Sequence, residues 1–372
     1  MKYVPSVRRQ QNLTTKLCAH VIRSSNDAKK LVTITNSPIV KFLDDFQLAS
    51  EFDSMPRRPF RIGRAFESDF DPNPLYRNTD PIEYARIYFD RYLANQVRNN
   101  PDIDAWEGPN EPHPENLEAM RWYARFEAER IRILSTTYNR KSVVGNFSAG
   151  APDLPTEDRL AYWRAFGPAL FEAKITGGCL GLHEYSNLDF SKWDSWLFFR
   201  YRWAREYCIS AGLQELKFAV TECGADSIVN GRPWRTQFGG NPRRYLDEML
   251  KHYDAGLRQD SYVLGAAIFT FGNGWFEHNV EGTGLTDLII EYDKQLQVVS
   301  PTPAPALFYN AQVTNAGILN VRAHPWSGKV EPPKVRQLVL GAKVFVTCTC
   351  NGWACISPDG NEWVSQKYLR QL

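Results

Sequence analysis

The stretch "DAWEGPNEPHPENLEAM", residues 104–120, runs from an apolar segment through a turn into a helical pattern. Trp106 ends the apolar part, and Gly108, Pro109 and Pro112 supply the turn. Beyond it Leu117, Met120, Ala124, Ile131 and Leu134 recur on one helical stripe, so a helix is predicted over 115–135. Strand, short loop and helix make one β/α unit. The loop also carries more than a turn requires, because an amide and a carboxylate, Asn110 and Glu111, stand side by side at the strand's end.

The same texture repeats along the chain. Strand candidates are "KLCAHVI" (16–22), "PIVKFL" (38–43), "PFRIGRAF" (59–66), "DIDAWEG" (102–108), "KSVVGNF" (141–147), "GGCLGLHEY" (177–185), "LKFAVTECG" (216–224) and "VLGAAIFTFG" (263–272). Their apolar runs are nearly continuous, as parallel strands covered on both faces require. Helical patterns lie between them, including 193–211, which stops before Gly212, and 241–259, which starts at Asn241-Pro242. Eight such alternations predict an α/β fold, a (β/α)8 barrel over residues 1–298. A doubly wound open sheet is the alternative, but no GxGxxG or P-loop pattern follows any strand.

After residue 298 the composition changes. "SPTPAPALFYN" (300–310) is proline-dense, so 299–310 reads as a stiff linker. Residues 311–372 hold only short β runs punctuated by Gly and Asn-Gly turns, enough for a small all-β barrel of SH3-like size.

Composition narrows the function classes. Hydrophobic residues make up 43% of the 372, enough for a large core, and 13% are aromatic, which supplies stacking surface as well as core filling. The 44 basic and 42 acidic residues leave a net charge of +2, so neither nucleic acid nor membrane insertion is expected. No stretch approaches the ~20 apolar residues of a membrane span, and the N-terminus has no apolar core of signal-peptide length. A soluble chain is expected, whether cytosolic, exported by another route or trimmed of a leader. Cys348, Cys350 and Cys355 lie close together, but no fourth zinc ligand is evident, and a cross-hairpin disulfide or buried thiols is the preferred reading. No HExxH or clustered His/Asp set calls for a catalytic metal, and no cofactor is implied.

Barrel enzymes assemble their sites from the C-terminal ends of the strands. Strand 4 ends in Asn110-Glu111, strand 6 in His183-Glu184-Tyr185, and strand 7 in Thr221-Glu222-Cys223-Gly224. Strand 8 leads to Phe271, Trp275, Glu277 and His278, while strand 1 carries His20 and strand 3 carries Arg61 and Arg64. Two glutamates on separated strands that share one mouth match the needs of glycoside cleavage: one acid protonates the leaving oxygen while the other carboxylate attacks or activates water.

"WEGPNEP", followed some 110 residues later by a strand ending "TECG", resembles the clan A retaining glycoside hydrolases, in particular family 39-like and family 5-like barrels, over roughly residues 13–295. The resemblance implies that Glu111 is the acid/base, with a raised pKa, that Asn110 meets the sugar 2-hydroxyl, and that Glu222 is the ionised nucleophile. His183 and Tyr185 match the family's His-x-Tyr on strand 6, and Trp275 stands near its aromatic platform. Arg64 is the loosest match, because the usual arginine lies near strand 2, and His20 is either a substrate contact or a core histidine. Glu107 and Glu184 are rival acids: Glu107 is expected lower in the barrel, bonded to an arginine or to backbone, and Glu184 on the face opposite His183 and Tyr185. His113 is expected only to line its loop.

The C-terminal segment resembles bacterial SH3-type domains through "LNVRAHPWSG" and "NEWVSQKYLRQL". That resemblance implies a cell-wall peptide or glycan as partner beside a carbohydrate substrate, and an extracellular or wall-associated setting. A non-catalytic carbohydrate- or wall-binding scaffold stays open as the alternative function.

Overall fold

A computed structural model describes residues 14–298 and 309–372, apart from 68–69, 153–157, 159, 187–196, 227–231, 324–331, 347, 351 and 358–361. The chain divides into two compact units, Met1–Gln297 and Val298–Leu372.

The first unit is the predicted (β/α)8 barrel. Its strands are β1 (Leu17–Val21), β2 (Ile39–Leu43), β3 (Phe60–Arg64), β4 (Ala105–Glu107), β5 (Lys141–Phe147), β6 (Cys179–Ser186), β7 (Lys217–Ala225) and β8 (Val263–Phe271). They close in sequence order, each parallel to the next, and β8 pairs back onto β1 with Leu17 opposite Ala266. Alternate side chains of a strand share a face. One inward residue from each strand, Cys18, Ile39, Ile62, Ala105, Val143, Cys179, Ala219 and Ala267, forms a buried apolar layer. Two residues further along, the same inward face carries His20 on β1, Lys41 on β2, Arg64 on β3 and Glu107 on β4, all buried. The barrel interior therefore changes from apolar to ionic toward the C-terminal mouth.

The helix after β4 spans Leu117–Tyr138, and the side chain of Asn116 caps it by accepting from the backbone N–H groups of Glu118 and Ala119. It buries Met120, Ala124, Ile131 and Leu134 as expected, and also Trp122, Tyr123 and Phe126. Its Arg130, paired with Glu127 at 2.7 Å, donates to the carbonyls of Trp106 and Val143 and so ties the helix to β4 and β5. A Cβ at Gly108 would lie 2.3 Å from the Glu127 carboxylate, so glycine is needed for this buried pair to reach the strand end. The 241–259 segment starts at the Asn241 cap as predicted but follows a broken path: Pro242–Tyr245, a π-turn at Leu246–Leu250, then Lys251–Gln259. Of the 193–211 pattern, Tyr201–Ser210 is helical, and residues 193–196 lie outside the described residues.

The second unit holds a five-stranded antiparallel sheet in the order Lys334–Val339, Ile318–Arg322, Trp363–Ser365, Trp353–Cys355 and Cys348–Cys350. A three-stranded sheet has Tyr309–Val313 between Lys343–Val346 and Leu369–Gln371. Ala311, Val313, Leu319, Val321, Leu338, Val346, Ala354 and Val364 form its core. Of the linker expected at 299–310, residues 299–308 lie outside the described residues, and Tyr309 and Asn310 already belong to a strand. Cys348 faces Cys355 across the ladder, and the side chains of Cys348 and Cys350 lie outside the described residues. Among the described residues no helix is long and apolar enough to cross a membrane.

Candidate active site

At the mouth of the barrel a cavity of about 400 Å³ is lined by Glu111, Tyr185, Glu222, Phe269, Trp275 and His278, with Ser148, Ala149, Leu197 and Asp226 completing the described wall. Glu222 reaches it because β7 bulges. The register runs from Leu182 opposite Val220 straight to His183 opposite Glu222, which leaves Thr221 as the extra residue. An extra residue inverts the facing of everything after it, so Glu222 takes the inward side that strict alternation from Ala219 would deny it.

The Glu222 carboxylate is held from several sides. Its Oε1 accepts from Lys41 Nζ and from Arg64 Nη1, both at 2.9 Å, and its Oε2 accepts from the Tyr185 hydroxyl at 2.7 Å. Burial alone would raise its pKa, but His183, Lys41 and Arg64 outweigh burial and hold it well below the usual carboxylate range. Glu222 is therefore ionised and oriented. Lys41 also pairs with buried Glu107 at 3.1 Å. Two cations thus face two carboxylates in the barrel, and the buried group is balanced in charge.

Glu111 sits at the end of β4 with φ 46°, a left-handed conformation that a glutamate adopts only under constraint. The constraint is visible on both sides of the peptide. The Glu111 N–H donates to the Asn146 carbonyl at 3.1 Å, and the Asn110 N–H donates to the Glu67 carboxylate at 2.6 Å. Burial pushes the Glu67 carboxyl up to about 7, against the opposing pull of the Asn110 bond and Arg64. The Glu111 side chain is 38% exposed and meets His183 Nδ1 at 2.8 Å, while that same nitrogen lies 3.6 Å from Glu222 Oε2. One imidazole therefore bridges the two glutamates. The nearest polar atoms of Glu111, His183 and Glu222 lie within 4.8 Å of one another.

Such a trio has the composition of a metal site, and among the described residues it is the one group with that potential. Its chemistry argues against a metal, since Glu222 Oε1 already faces two cations and Oε2 holds a hydroxyl donor. An ion there would add positive charge beside a lysine and an arginine that already balance the carboxylate.

The structure gathers most of the residues expected from sequence and sorts them by depth. Tyr185, Trp275, Glu111 and Glu222 line the cavity. Asn110 is not among the lining residues; its side-chain oxygen accepts from Arg64 behind Glu222. His183 lies buried between the two acids. His20 is fully buried 3.8 Å from Glu222, its ring against Phe269 at 5.1 Å, so it stands behind Glu222 and not in the wall. Burial holds its pKa well below the usual histidine value, helped by Lys41, so it is neutral.

Glu107 lies low in the barrel as expected, but its partner is Lys41 and not an arginine. Glu184 faces away from the mouth, accepting from Tyr253 at 2.5 Å and from the N–H groups of Phe199 and Tyr201; burial pushes its carboxyl up to about 7. Arg61 is occupied by Asp53 and Asp104, and His113 engages its loop through its carbonyl, which accepts from Asn73. Phe271 is buried in the core, and the aromatic wall is instead Phe269, 5.1 Å from Trp275.

Sequence reading named His278, which lines the cavity, but did not find its partner Asp226, nor Lys41, Glu67 or Phe269. Lys41 had a signal, a lone lysine two residues after inward Ile39 in an otherwise apolar strand. Trp275 also borders a second hollow of about 530 Å³, shared with Ile22, Arg23, Leu43, Asp44, Asp45 and Gly274.

No protein-family model matches the chain, and no curated protein matches it. Among solved structures it is similar to a broad-specificity endoglucanase from an uncultured bacterium, at 10% identity and a TM-score of 0.46, over 80% of this chain and 98% of that one. It is also similar to a beta-galacturonidase from Eisenbergiella tayi, at 12% identity and a TM-score of 0.45, over 76% of this chain and 51% of that one. A beta-glucuronidase from an uncultured Clostridium species gives 12% identity and a TM-score of 0.42 over 76% of this chain. The chain spans about half the length of the two uronidases. Likenesses this slight carry no functional argument, so the chemistry must come from the side chains.

Proposed function

We propose that the protein is a glycoside hydrolase that cleaves an O-glycosidic bond of an oligo- or polysaccharide with retention of configuration. One observation carries the reading: polar atoms of Glu111, after β4, and Glu222, on β7, lie within 4.8 Å of each other at an open cavity. Retaining enzymes hold their two carboxyl groups about 5–5.5 Å apart, whereas inverting enzymes need ~6.5–9.5 Å to seat a water. A scaffold that merely binds sugar gains nothing from such proximity, which has to be held against charge repulsion.

The roles follow from the environments. Glu222, ionised and held by Lys41, Arg64 and Tyr185, attacks the anomeric carbon, and the bond to the leaving oxygen breaks as Glu111 delivers its proton there. Glu111, partly exposed, then takes a proton from water, which attacks the glycosyl-enzyme and returns Glu222 as carboxylate. His183 can serve Glu111 in both states, since its Nδ1 donates to a carboxylate or accepts from a carboxylic acid according to tautomer. Phe269 and Trp275 offer apolar faces for the sugar ring.

We infer further that residues 311–372 form an SH3-like module that binds cell-wall peptide or glycan and brings the barrel to such a substrate. The "LNVR" and "WV…YL" segments and the small antiparallel sheets support this.

Removing each glutamate separately tests the mechanism. Glu222→Gln should lower hydrolysis by several orders of magnitude for every leaving group. Glu111→Gln should still form the glycosyl-enzyme from substrates with activated phenol leaving groups and stall there, and azide should rescue it with a product of retained configuration. An inverted first product, or two variants that turn over like wild type, would sink the assignment.

A further inference from the structure

We propose that the N-terminal face of the barrel binds a phosphomonoester, at a site separate from the paired glutamates. A cavity of about 600 Å³ opens there, where β2 to β5 begin. Its lining includes Pro38 just before β2, Phe60 at the start of β3, Asp104 just before β4 and Lys141 at the start of β5. At ~3.3 Å per residue, β3 runs roughly 13 Å from Phe60 to Arg64 at the mouth. The two cavities share no described lining residue, so the proposal does not depend on the glycosidase reading.

Charge sets the ligand class. Five cationic side chains, Arg57, Arg58, Arg61, Arg140 and Lys141, line the cavity, against the carboxylates of Asp102 and Asp104. Arg58 and Arg61 are committed, since each pairs with both Asp53 and Asp104 at 2.7 to 3.4 Å. Among the described residues no carboxylate pairs with Arg57, Arg140 or Lys141. Arg140 donates through Nη1 and Nη2 to the carbonyls of Asn139 and Pro101, at 3.2 and 3.0 Å, and its Nε is buried without an acceptor. Lys141 Nζ stands 5.6 Å over the Phe60 ring. Three cations thus face one remaining carboxylate, Asp102, which leaves a surplus of two positive charges. Arginine and lysine side chains stay charged at neutral pH, so the surplus does not hang on a titrating group.

A phosphomonoester carries about −1.5 to −2 charge at pH 7 and three acceptor oxygens, which matches that surplus, whereas one carboxylate supplies about half of it. Guanidinium forks suit phosphate oxygens, and a lysine adds a point charge. The volume falls within the range of about 300–1,000 Å³ that small-molecule sites occupy, more than an inorganic ion fills. Phe60, Pro101 and Leu264 offer apolar contact to the body of the ligand. Like charges gathered without a counter-charge repel one another, and a bound phosphate relieves that repulsion.

The test is calorimetric titration of the full-length protein with glucose 6-phosphate and with AMP, at pH 7.5 and about 0.15 M salt. At least one of the two should bind with a Kd below about 1 mM, and an excess of glucose should not compete. Arg140→Gln should weaken that binding at least ~10-fold, as the loss of a charge-assisted hydrogen bond implies. Arg57 and Lys141 are exposed, so the double variant Arg57→Gln/Lys141→Gln should fold normally and lose at least as much affinity. Arg244→Gln, on exposed Arg244 of the Pro242–Tyr245 helix, should leave the affinity unchanged. The proposal is overturned if neither phosphomonoester binds, or if glucose displaces the one that does. It is equally overturned by an affinity that the double variant leaves unmoved, or that Arg244→Gln lowers as much.

Discussion

Replacing Lys41 by methionine tests the electrostatic design of the site without requiring its substrate. Lys41 is fully buried and lies 2.9 Å from Glu222 and 3.1 Å from Glu107. At an effective dielectric of about 20, one such contact is worth roughly 6 kcal/mol before desolvation. Removing one partner from a buried pair costs about 3–5 kcal/mol in practice, because the charge left behind is buried without its counter-ion. In wild type the folded pKa of Glu222 is depressed below the ordinary carboxyl value of 4.5, so its pairing stabilises the fold above that value and is lost as pH falls through the folded pKa. The Lys41→Met change works in the opposite sense: a carboxylate left buried without its cation is destabilising while charged and is relieved by protonation, so the deficit is full at high pH and shrinks as pH falls. Urea unfolding should accordingly show a loss of about 3–5 kcal/mol at pH 8 and clearly less at pH 5. Adding Glu107→Gln removes the carboxylate left without a cation, since Arg64 still holds Glu222, and should recover part of the loss at pH 8. The acid limb of kcat/KM should move upward in parallel. A deficit equal at pH 5 and pH 8 and unchanged by Glu107→Gln would refute the reasoning, because an apolar packing defect has no titration.

Two further outcomes are expected. Trp275 borders both the carboxylate cavity and the hollow beside Asp44 and Asp45, so Trp275→Ala should raise KM several-fold more for long oligosaccharides than for a single aryl glycoside; an equal change for both would confine Trp275 to one subsite. Residues 307–372 fused to a carrier should sediment with bacterial cell walls, and no enrichment over an unrelated small barrel would remove wall binding from the second unit.

The barrel is legible in the sequence because its signal is repeated. Eight apolar runs, each covered on both faces, have few arrangements available, and each predicted run contains or overlaps its strand to within two or three residues at either end. The site is legible only where a residue type is out of place, as Asn110-Glu111 is in a turn or Glu222 at the end of an apolar run. Lys41 was passed over because two carboxylates from other strands, Glu107 and Glu222, are what make a buried lysine tolerable, and neither is near it in sequence. Phe269 was missed for Phe271 because β8 shifts register against β1 between Ala19 and Val21, so simple alternation fails at its end. The same effect governs the central residue. Strict alternation from inward Ala219 puts Thr221 inside and Glu222 outside, against the helices, where its charge would lack a partner. The bulge that brings Glu222 to the mouth also brings it to Lys41, Arg64 and Tyr185, and those contacts stabilise the bulged register. The cluster that orients the carboxylate is thus part of what fixes the local fold, so a change that empties it should disturb the strand as well as the chemistry.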